Sequence, residues 1–158
     1  MPDFIKAATK AEYDAAVLLF KEYAGWLNID LCFQHFSEEL AQISTIYAPP
    51  SGGIILVKAG DAYIGCAGIR RIDDEVAELK RMYVKAEFQQ QGIGKALLLE
   101  TLALATELHY KKVRLDTLSR LVPAIHLYRQ SGFYDIPAYY HNPEKSVVYL
   151  EKQLIPDA

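Results

Sequence analysis

A glycine-bearing turn, Gln89-Gln90-Gln91-Gly92-Ile93-Gly94-Lys95, joins a strand-like segment to a long apolar helix, and this junction restricts the architecture of the chain more than any other stretch. Val76–Val84 reads as the strand before it. Ile93–Leu108, rich in Ala and Leu, has the length and apolar spacing of a helix after it. The first amides of a helix have no intrahelical acceptor, and that end carries roughly half a positive elementary charge. A strand–turn–helix of this kind is therefore an anion seat. Gly92 and Gly94 lack a Cβ and let a phosphate approach the backbone, and Lys95 adds a point charge. A glycine-containing helix start without a ligand is the plainer alternative. Two nucleotide motifs fail here. A P-loop needs Ser or Thr after the lysine, where the chain has Ala96, and a dinucleotide fingerprint needs a small residue where it has Leu97.

The rest of the chain alternates in type. Phe4–Ala8 predicts a short first strand. Thr9 and Glu12 form a capping box ahead of a helix that carries Tyr13, Val17, Phe20 and Ala24 on one face. A second helix is expected from Ser37, with Ser37 as its cap and Leu40, Ile43 and Tyr47 on its buried side. Pro49-Pro50-Ser51-Gly52-Gly53 stops it. Ile54–Ala59 and Ala62–Ile69 flank a Gly60-Asp61 hairpin turn. Val113–Thr117 predicts a strand, Pro123–Ser131 a helix closed by Gly132, and Ser146–Leu154 a final strand, with room for one more short strand after Gly132. No repeat or linker interrupts this order, so one α/β domain over residues 1–158 is expected.

Composition narrows the function classes. Of 158 residues 51% are hydrophobic, enough for a sizeable core in one domain. A net charge of −3 with no basic block gives no support for nucleic-acid binding. No apolar run approaches the roughly 18 residues of a membrane span. Met1–Lys6 has no signal-peptide pattern, so a cytoplasmic protein is expected. Cys32 and Cys66 make neither a disulfide framework nor a metal-ligand set, the histidines lack metal spacing, and no metal is expected.

With these segments in place, the sequence resembles the GNAT superfamily of acyl-CoA-dependent N-acyltransferases. Gln89, Gly92 and Gly94 meet the family's Gln/Arg-x-x-Gly-x-Gly/Ala signature. Glu78–Val84 looks like its splayed fourth strand, and Ala124-Ile125-His126-Leu127-Tyr128-Arg129-Gln130-Ser131-Gly132-Phe133 like its Ala-x-x-Leu-Tyr…Gly-Phe segment. The resemblance implies a GNAT-type acyltransferase fold, a mixed central β-sheet with helices on both faces. It implies acetyl-CoA as co-substrate, with pantetheine along Met82, Tyr83 and Val84 and pyrophosphate on the amides of Gln89, Gln90, Gln91, Gly92, Ile93, Gly94, Lys95 and Ala96. Thr117 and Ala124 fall among the expected cofactor contacts. Two departures stand out: Gln91 replaces a basic residue common before the first glycine, and Leu121 replaces an Asn that precedes the Ala of the later segment. They keep open a non-catalytic acyl-CoA-binding module of the same fold.

The implied reaction is direct transfer of an acetyl group from acetyl-CoA to a primary amine of a small molecule or peptide. It needs a neutral amine, a stabilised thioester oxygen and a proton for the leaving thiolate. Glu78 matches the strand position of the family's catalytic Glu and is the candidate base, acting directly or through water. Strand alternation predicts Val76, Glu78, Lys80, Met82 and Val84 on one face, where a Glu78–Lys80 ion pair is the plainer reading. Tyr128, in the Leu-Tyr segment, is the candidate acid. Trp26, Phe33, His35, Phe36, Tyr139, Tyr140 and His141 are candidate linings of the acceptor site. A homodimer is expected by analogy with the family.

Overall fold

The computed structural model describes residues 2–31 and 35–154. Cys32 and Phe33 lie outside the described residues. Strand β1 (Asp3–Lys6) is extended by one further bond, from the Ala7 N–H to the Ile54 carbonyl (2.9 Å), close to the predicted Phe4–Ala8. Helix α1 (Lys10–Leu27) starts at the predicted capping box. The Thr9 hydroxyl accepts from the Glu12 N–H (3.2 Å), while the Glu12 carboxylate accepts from the amides of Ala8 (2.8 Å) and Thr9 (2.9 Å). The helix runs to Leu27 and closes on Asn28 in the left-handed conformation (φ 57°).

The second predicted helix is where sequence and structure part. It divides into α2 (Phe36–Ala41) and α3 (Ile43–Ile46), and no side chain caps α2, which begins behind His35 at φ 56°. Ile43 and Tyr47 are buried as expected, Leu40 is half-buried, and the fully buried residue of α2 is Glu39. An ion pair described below accounts for the burial of its carboxylate.

Strands β2 (Gly53–Ala59), β3 (Ala62–Arg71) and β4 (Val76–Val84) follow as an antiparallel run, with the expected tight turn at Gly60-Asp61. A single 3₁₀ turn (Ala86–Phe88) leads to α4 (Ile93–Glu107), then β5 (Lys112–Leu118), α5 (Val122–Gln130), a two-residue β6 (Tyr134–Asp135) and β7 (Val147–Gln153). The sheet has seven strands in the order β1-β2-β3-β4-β5-β7-β6. Only β4 and β5 run parallel, so the sheet is mixed. One core lies between the sheet and α4, with Ile55, Ala67, Leu79, Leu97, Leu98 and Leu115; α5 adds Tyr128 to it. The second lies under α1–α3 and is built on Phe20, Ile54, Leu56 and Tyr47. There the Phe20 and Tyr47 rings meet edge to face at 5.6 Å, a contact worth about 0.5–1.5 kcal/mol beyond area burial. Helices thus cover both faces, as expected. Among the described residues no helix is long and apolar enough to cross a membrane.

A β-bulge in β4 decides how side chains from this strand are shared between the faces. Gly68 of β3 lies opposite Lys80 and Cys66 opposite Tyr83, so Arg81 and Met82 together oppose the single Ala67. Arg81 takes φ 59°, a left-handed conformation that costs a non-glycine residue roughly 1–2 kcal/mol. The extra residue reverses the alternation. Ala77, Leu79, Met82 and Val84 face the α4 core, whereas Tyr83 belongs to the α1 core and Glu78 and Lys80 alternate with Ala77 and Leu79 on that same side. The expected shared face of Val76, Glu78, Lys80, Met82 and Val84 is therefore broken between Lys80 and Met82.

The bulge is held by its own side chain. Arg81 Nη2 donates to Glu39 Oε1 (2.7 Å), Arg81 Nε to Glu39 Oε2 (3.2 Å), and the Tyr47 hydroxyl to Glu39 Oε2 (2.9 Å). The guanidinium stands over the Phe36 ring (5.1 Å), and the Arg81 carbonyl accepts from the Cys66 thiol (3.3 Å). Burial acts to raise the Glu39 pKa, but the Arg81 guanidinium outweighs it and holds the carboxyl below its usual value of 4.5. With the folded pKa depressed, the pair's contribution is complete above about pH 4.5 and is lost as pH falls through the folded value. Glu39→Ala is expected to cost about 3–5 kcal/mol in urea unfolding, because Arg81 is left buried and unpaired. Glu39→Gln should lose that part of the wild-type decline in stability that sets in below about pH 4.5.

Candidate active site

The parallel ladder between β4 and β5 is short. It pairs Val76 with Lys112, Ala77 with Val113 and Glu78 with Arg114, and ends there. Both strands continue, β4 to Val84 and β5 to Leu118, and a cleft of about 420 Å³ opens between them. Its walls are Leu79–Val84 on one side and Asp116–Leu118 on the other, with Ala124, Leu127 and Tyr128 of α5 beside them. The edge of β4 that β5 leaves behind presents backbone groups to this cleft, a site for an extended chain to lie like an added strand.

The glycine turn stands at one end of the cleft. Gln90 (φ 64°) and Gly92 (φ 80°) are both left-handed, which folds the chain sharply into α4. The Gln89 side chain donates to the Val84 carbonyl (2.8 Å) and so braces the turn against β4. The Gln89 amide is bonded to the Ala86 carbonyl (3.2 Å) and the Ala96 amide to the Gly92 carbonyl (3.2 Å). Of the expected run of anion-binding amides, these two are committed within the fold. The amides of residues 93–95 belong to the first helical turn and have no acceptor four residues back. Gln90, Gly92, Gly94 and Lys95 line the cleft, whereas Gln91, Ile93 and Ala96 face a smaller hollow beside Pro2 and Phe4.

At the middle of the cleft stands Tyr128. Its ring packs against Phe133 (5.7 Å between centroids), and its hydroxyl points to the Met82 sulfur (3.9 Å). Burial pushes the phenol well above its ordinary value, so it keeps its proton throughout the neutral and mildly alkaline range.

Beyond Tyr128 lies a cluster of charged groups. Glu78, 8% exposed, accepts from the Tyr139 hydroxyl (2.7 Å) and lies 3.8 Å from the Lys80 ammonium. It does not itself line the cleft, whereas Lys80 and Asp116 do. Asp116 accepts from the Tyr140 hydroxyl (2.7 Å), and Tyr140 accepts from Asn142 Nδ2 (3.2 Å). Burial pulls Lys80 below the usual lysine range, with Glu78 opposing the shift. Tyr139 and Tyr140 are pushed far above the ordinary tyrosine range, first by burial and then by these two carboxylates. Tyr139, Tyr140 and Tyr149 pack edge to face at 5.3–5.8 Å and fix the two hydroxyls in place.

Of the predicted cofactor contacts, Met82, Tyr83, Val84, Gln89, Thr117 and Ala124 also reach the cleft, as does Leu121. Ser119 is outside the lining, and its amide is bonded to the Ser146 carbonyl (2.8 Å). Among the expected acceptor linings, Trp26 lies in the cleft wall. Phe36 packs under Arg81, and Tyr139 and Tyr140 serve the carboxylates from behind. Asn142, not His141, lines the cleft. Asp116 went unnoticed in the sequence. A lone aspartate on a predicted strand reads as surface, and only the end of the β4–β5 ladder turns it toward a cavity.

A mixed sheet splayed between its two parallel strands, with an amide-lined turn at the mouth of the splay, is the architecture of a GNAT-type acyltransferase. The chain belongs to the acetyltransferase (GNAT) family, whose model matches residues 16–133. It is 34% identical over 147 residues to an uncharacterized N-acetyltransferase of Schizosaccharomyces pombe, covering 90% of this chain and 89% of that protein. In fold it is similar to a GNAT-family acetyltransferase from Staphylococcus aureus (TM-score 0.80, 19% identity, 98% of this chain and 100% of that one). It is also similar to a GNAT-family acetyltransferase from Elizabethkingia anophelis with acetyl-CoA bound (TM-score 0.66, 23% identity, 96% and 97% covered).

The two glycines of the turn should respond differently to a methyl group. Gly92 is held at φ 80°, and Gly92→Ala is expected to lose about 1 kcal/mol of stability. At Gly94 the nearest atom to an added Cβ is Leu127 Cδ2 at 3.9 Å, so Gly94→Ala should unfold at the wild-type urea concentration or slightly above it. Equal loss in both variants would contradict this reading of the turn.

Proposed function

We propose that the protein transfers the acetyl group of acetyl-CoA directly to a primary amine of a small molecule or peptide. One observation carries the reading: a single apolar cleft joins the glycine turn to Tyr128 and to the carboxylate cluster, with the freed edge of β4 between them. The residues present fit acetyl-CoA. The helix-start amides around Gly92 and Gly94 suit its pyrophosphate, with Lys95 as the nearby cation. Met82, Tyr83 and Val84 offer backbone to the pantetheine, and Thr117, Leu121 and Ala124 close the far side. The acetyl-CoA-bound neighbour from Elizabethkingia anophelis supports the same co-substrate here.

The chemistry follows from these positions. The amine nitrogen bonds to the acetyl carbon, the carbon–sulfur bond breaks, and the thiolate takes a proton. Tyr128 is the proton donor: it is beside Met82, keeps its proton at working pH and reaches the centre of the cleft. The amine's own proton goes to the carboxylate cluster. Asp116 meets the cleft directly, and Glu78 acts from behind it, joined to the same cluster through Lys80 and Tyr139. Backbone N–H groups at the Met82 bulge are the donors for the developing oxyanion.

An amine panel with acetyl-CoA, read by free-thiol release, is expected to identify acetylated products by mass. Tyr128→Phe should lower kcat by roughly 10²-fold or more and leave the Kd for acetyl-CoA unchanged. Wild-type kcat in that variant would remove Tyr128 from the mechanism.

A further inference from the structure

We infer that Tyr140 and Asn142, on the loop between β6 and β7, are positioning residues: they hold Asp116 with one oxygen open to the cleft, and that oxygen takes the proton of the acceptor amine. The inference rests on the acetyl-transfer reading and names the proton acceptor within it.

The chain of hydrogen bonds has one direction. A backbone N–H can only donate, so the Glu144 amide (2.9 Å) fixes which end of the Asn142 side chain is the oxygen. The Asn142 nitrogen is thereby turned to the Tyr140 oxygen (3.2 Å). Tyr140 receives a hydrogen there and gives its own to Asp116 Oδ2 (2.7 Å). Burial, and then the Asp116 charge, keep that phenol protonated. The ring is held as well. Asp116 pairs with Tyr149 across the β5–β7 ladder, and Tyr140 packs edge to face on Tyr149 at 5.8 Å and on Tyr139 at 5.3 Å.

The other carboxylate oxygen is left over. Among the described residues Asp116 accepts only from Tyr140, and none of their buried side-chain polar atoms lacks a partner, so Oδ1 is reached by solvent. Asp116 lines the cleft, two residues past the last pair of the β4–β5 ladder. The Tyr128 phenol is pushed up by burial first, then by Tyr23, and then by the Asp116 charge. Proton donor and proton acceptor therefore lie near enough to act on each other within one cleft. Lys80, Arg81, Lys95 and Arg120 line that cleft too, so the part of Asp116 is local: one accessible oxygen at the end of a fixed chain of donors.

Glu78 is placed differently. The β3–β4 register sets Arg70 opposite it, the β4–β5 register sets Arg114 beside it, and the Lys80 ammonium is 3.8 Å away. Arg114 is bonded in turn to Glu151 (2.9 Å) and stands over the Tyr139 ring (5.6 Å), whose hydroxyl donates to Glu78 (2.7 Å). Glu78 is thus an anion among cations outside the cleft lining, and its charge holds Lys80 and Tyr139 in place. In the reaction the carbon–nitrogen bond forms as the nitrogen's proton passes to Asp116 Oδ1. The carbon–sulfur electron pair leaves on sulfur, which takes the Tyr128 proton, and exchange with solvent restores both side chains.

The test uses the best acceptor from the amine panel. It compares kcat and KM for wild type, Tyr140→Phe, Asn142→Asp, Asp116→Asn and the Tyr140→Phe/Asp116→Asn double variant, with calorimetric acetyl-CoA binding and urea unfolding in parallel. Asp116→Asn is expected to lower kcat by roughly 10²-fold or more. Tyr140→Phe should lower kcat by about tenfold and leave acetyl-CoA affinity unchanged. Asn142→Asp keeps the acceptor for the Glu144 amide but loses the donor to Tyr140, so its kcat should fall as well. The double variant should be no slower than Asp116→Asn alone, because Tyr140 then has no base to position. Losses that multiply in the double variant would mark two independent structural effects and overturn the inference. Wild-type kcat in Tyr140→Phe or in Asp116→Asn would overturn it too, with acetyl transfer left standing. Tight acetyl-CoA binding with no amine consumed would overturn both.

Discussion

The salt bridge between Arg81 and Glu39 is the interaction on which the rest of the molecule turns. It joins the middle of β4 to α2 in a place from which water is excluded, and it keeps a non-glycine residue in a left-handed bulge. Without the bulge, β4 would alternate regularly, and Met82 and Val84 would leave the α4 core. With it, Met82 meets Tyr128 from one face while Lys80 and Glu78 reach the carboxylate cluster from the other. A buried ion pair is a weak source of net stability, since desolvation offsets much of the attraction. Here its consequence is geometric: it fixes the register at which β4 changes faces, three residues beyond the end of its ladder with β5.

The splay that follows opens a cleft that the glycine turn and the charged groups of β4 and β5 both reach. At the glycine turn, helix-start amides and Lys95 favour anions. Lys80 and Asp116 line another part of the cleft, with Glu78 3.8 Å from the Lys80 ammonium. Between them the cleft is lined by apolar side chains, among them Leu79, Met82, Leu118, Ala124 and Leu127. Tyr128 occupies the boundary, packed by Phe133, with its hydroxyl directed toward the strand rather than toward solvent.

Much of this was legible in the sequence, for reasons specific to each segment. The turn could be read because glycine at positions 92 and 94 has a conformational meaning, and because a strand and a helix flank it in order. The capping box of α1 and the Gly60-Asp61 hairpin were legible for the same reason: their residue types carry local geometry. The bulge was not. Arg81 is neither glycine nor asparagine, and its conformation is imposed by a partner 42 positions away. The same long-range pairing buries Glu39, and the expected Ser37 cap gives way to a short helix with no side-chain cap. Asp116 lacked any signal because its role depends on where two strands stop pairing, which side-chain pattern alone does not record. Glu78 was found by its position in the strand, yet its burial behind Tyr139 could be seen only in three dimensions.

Amide hydrogen exchange with and without CoA tests most directly whether the freed edge of β4 and the glycine turn together form the cofactor seat. Slowed exchange is expected across Met82–Val84 and across residues 90–95 on CoA addition, with the β1–β2 ladder unchanged as an internal reference. Protection confined to other segments, or no change across both of these while CoA binds, would contradict it.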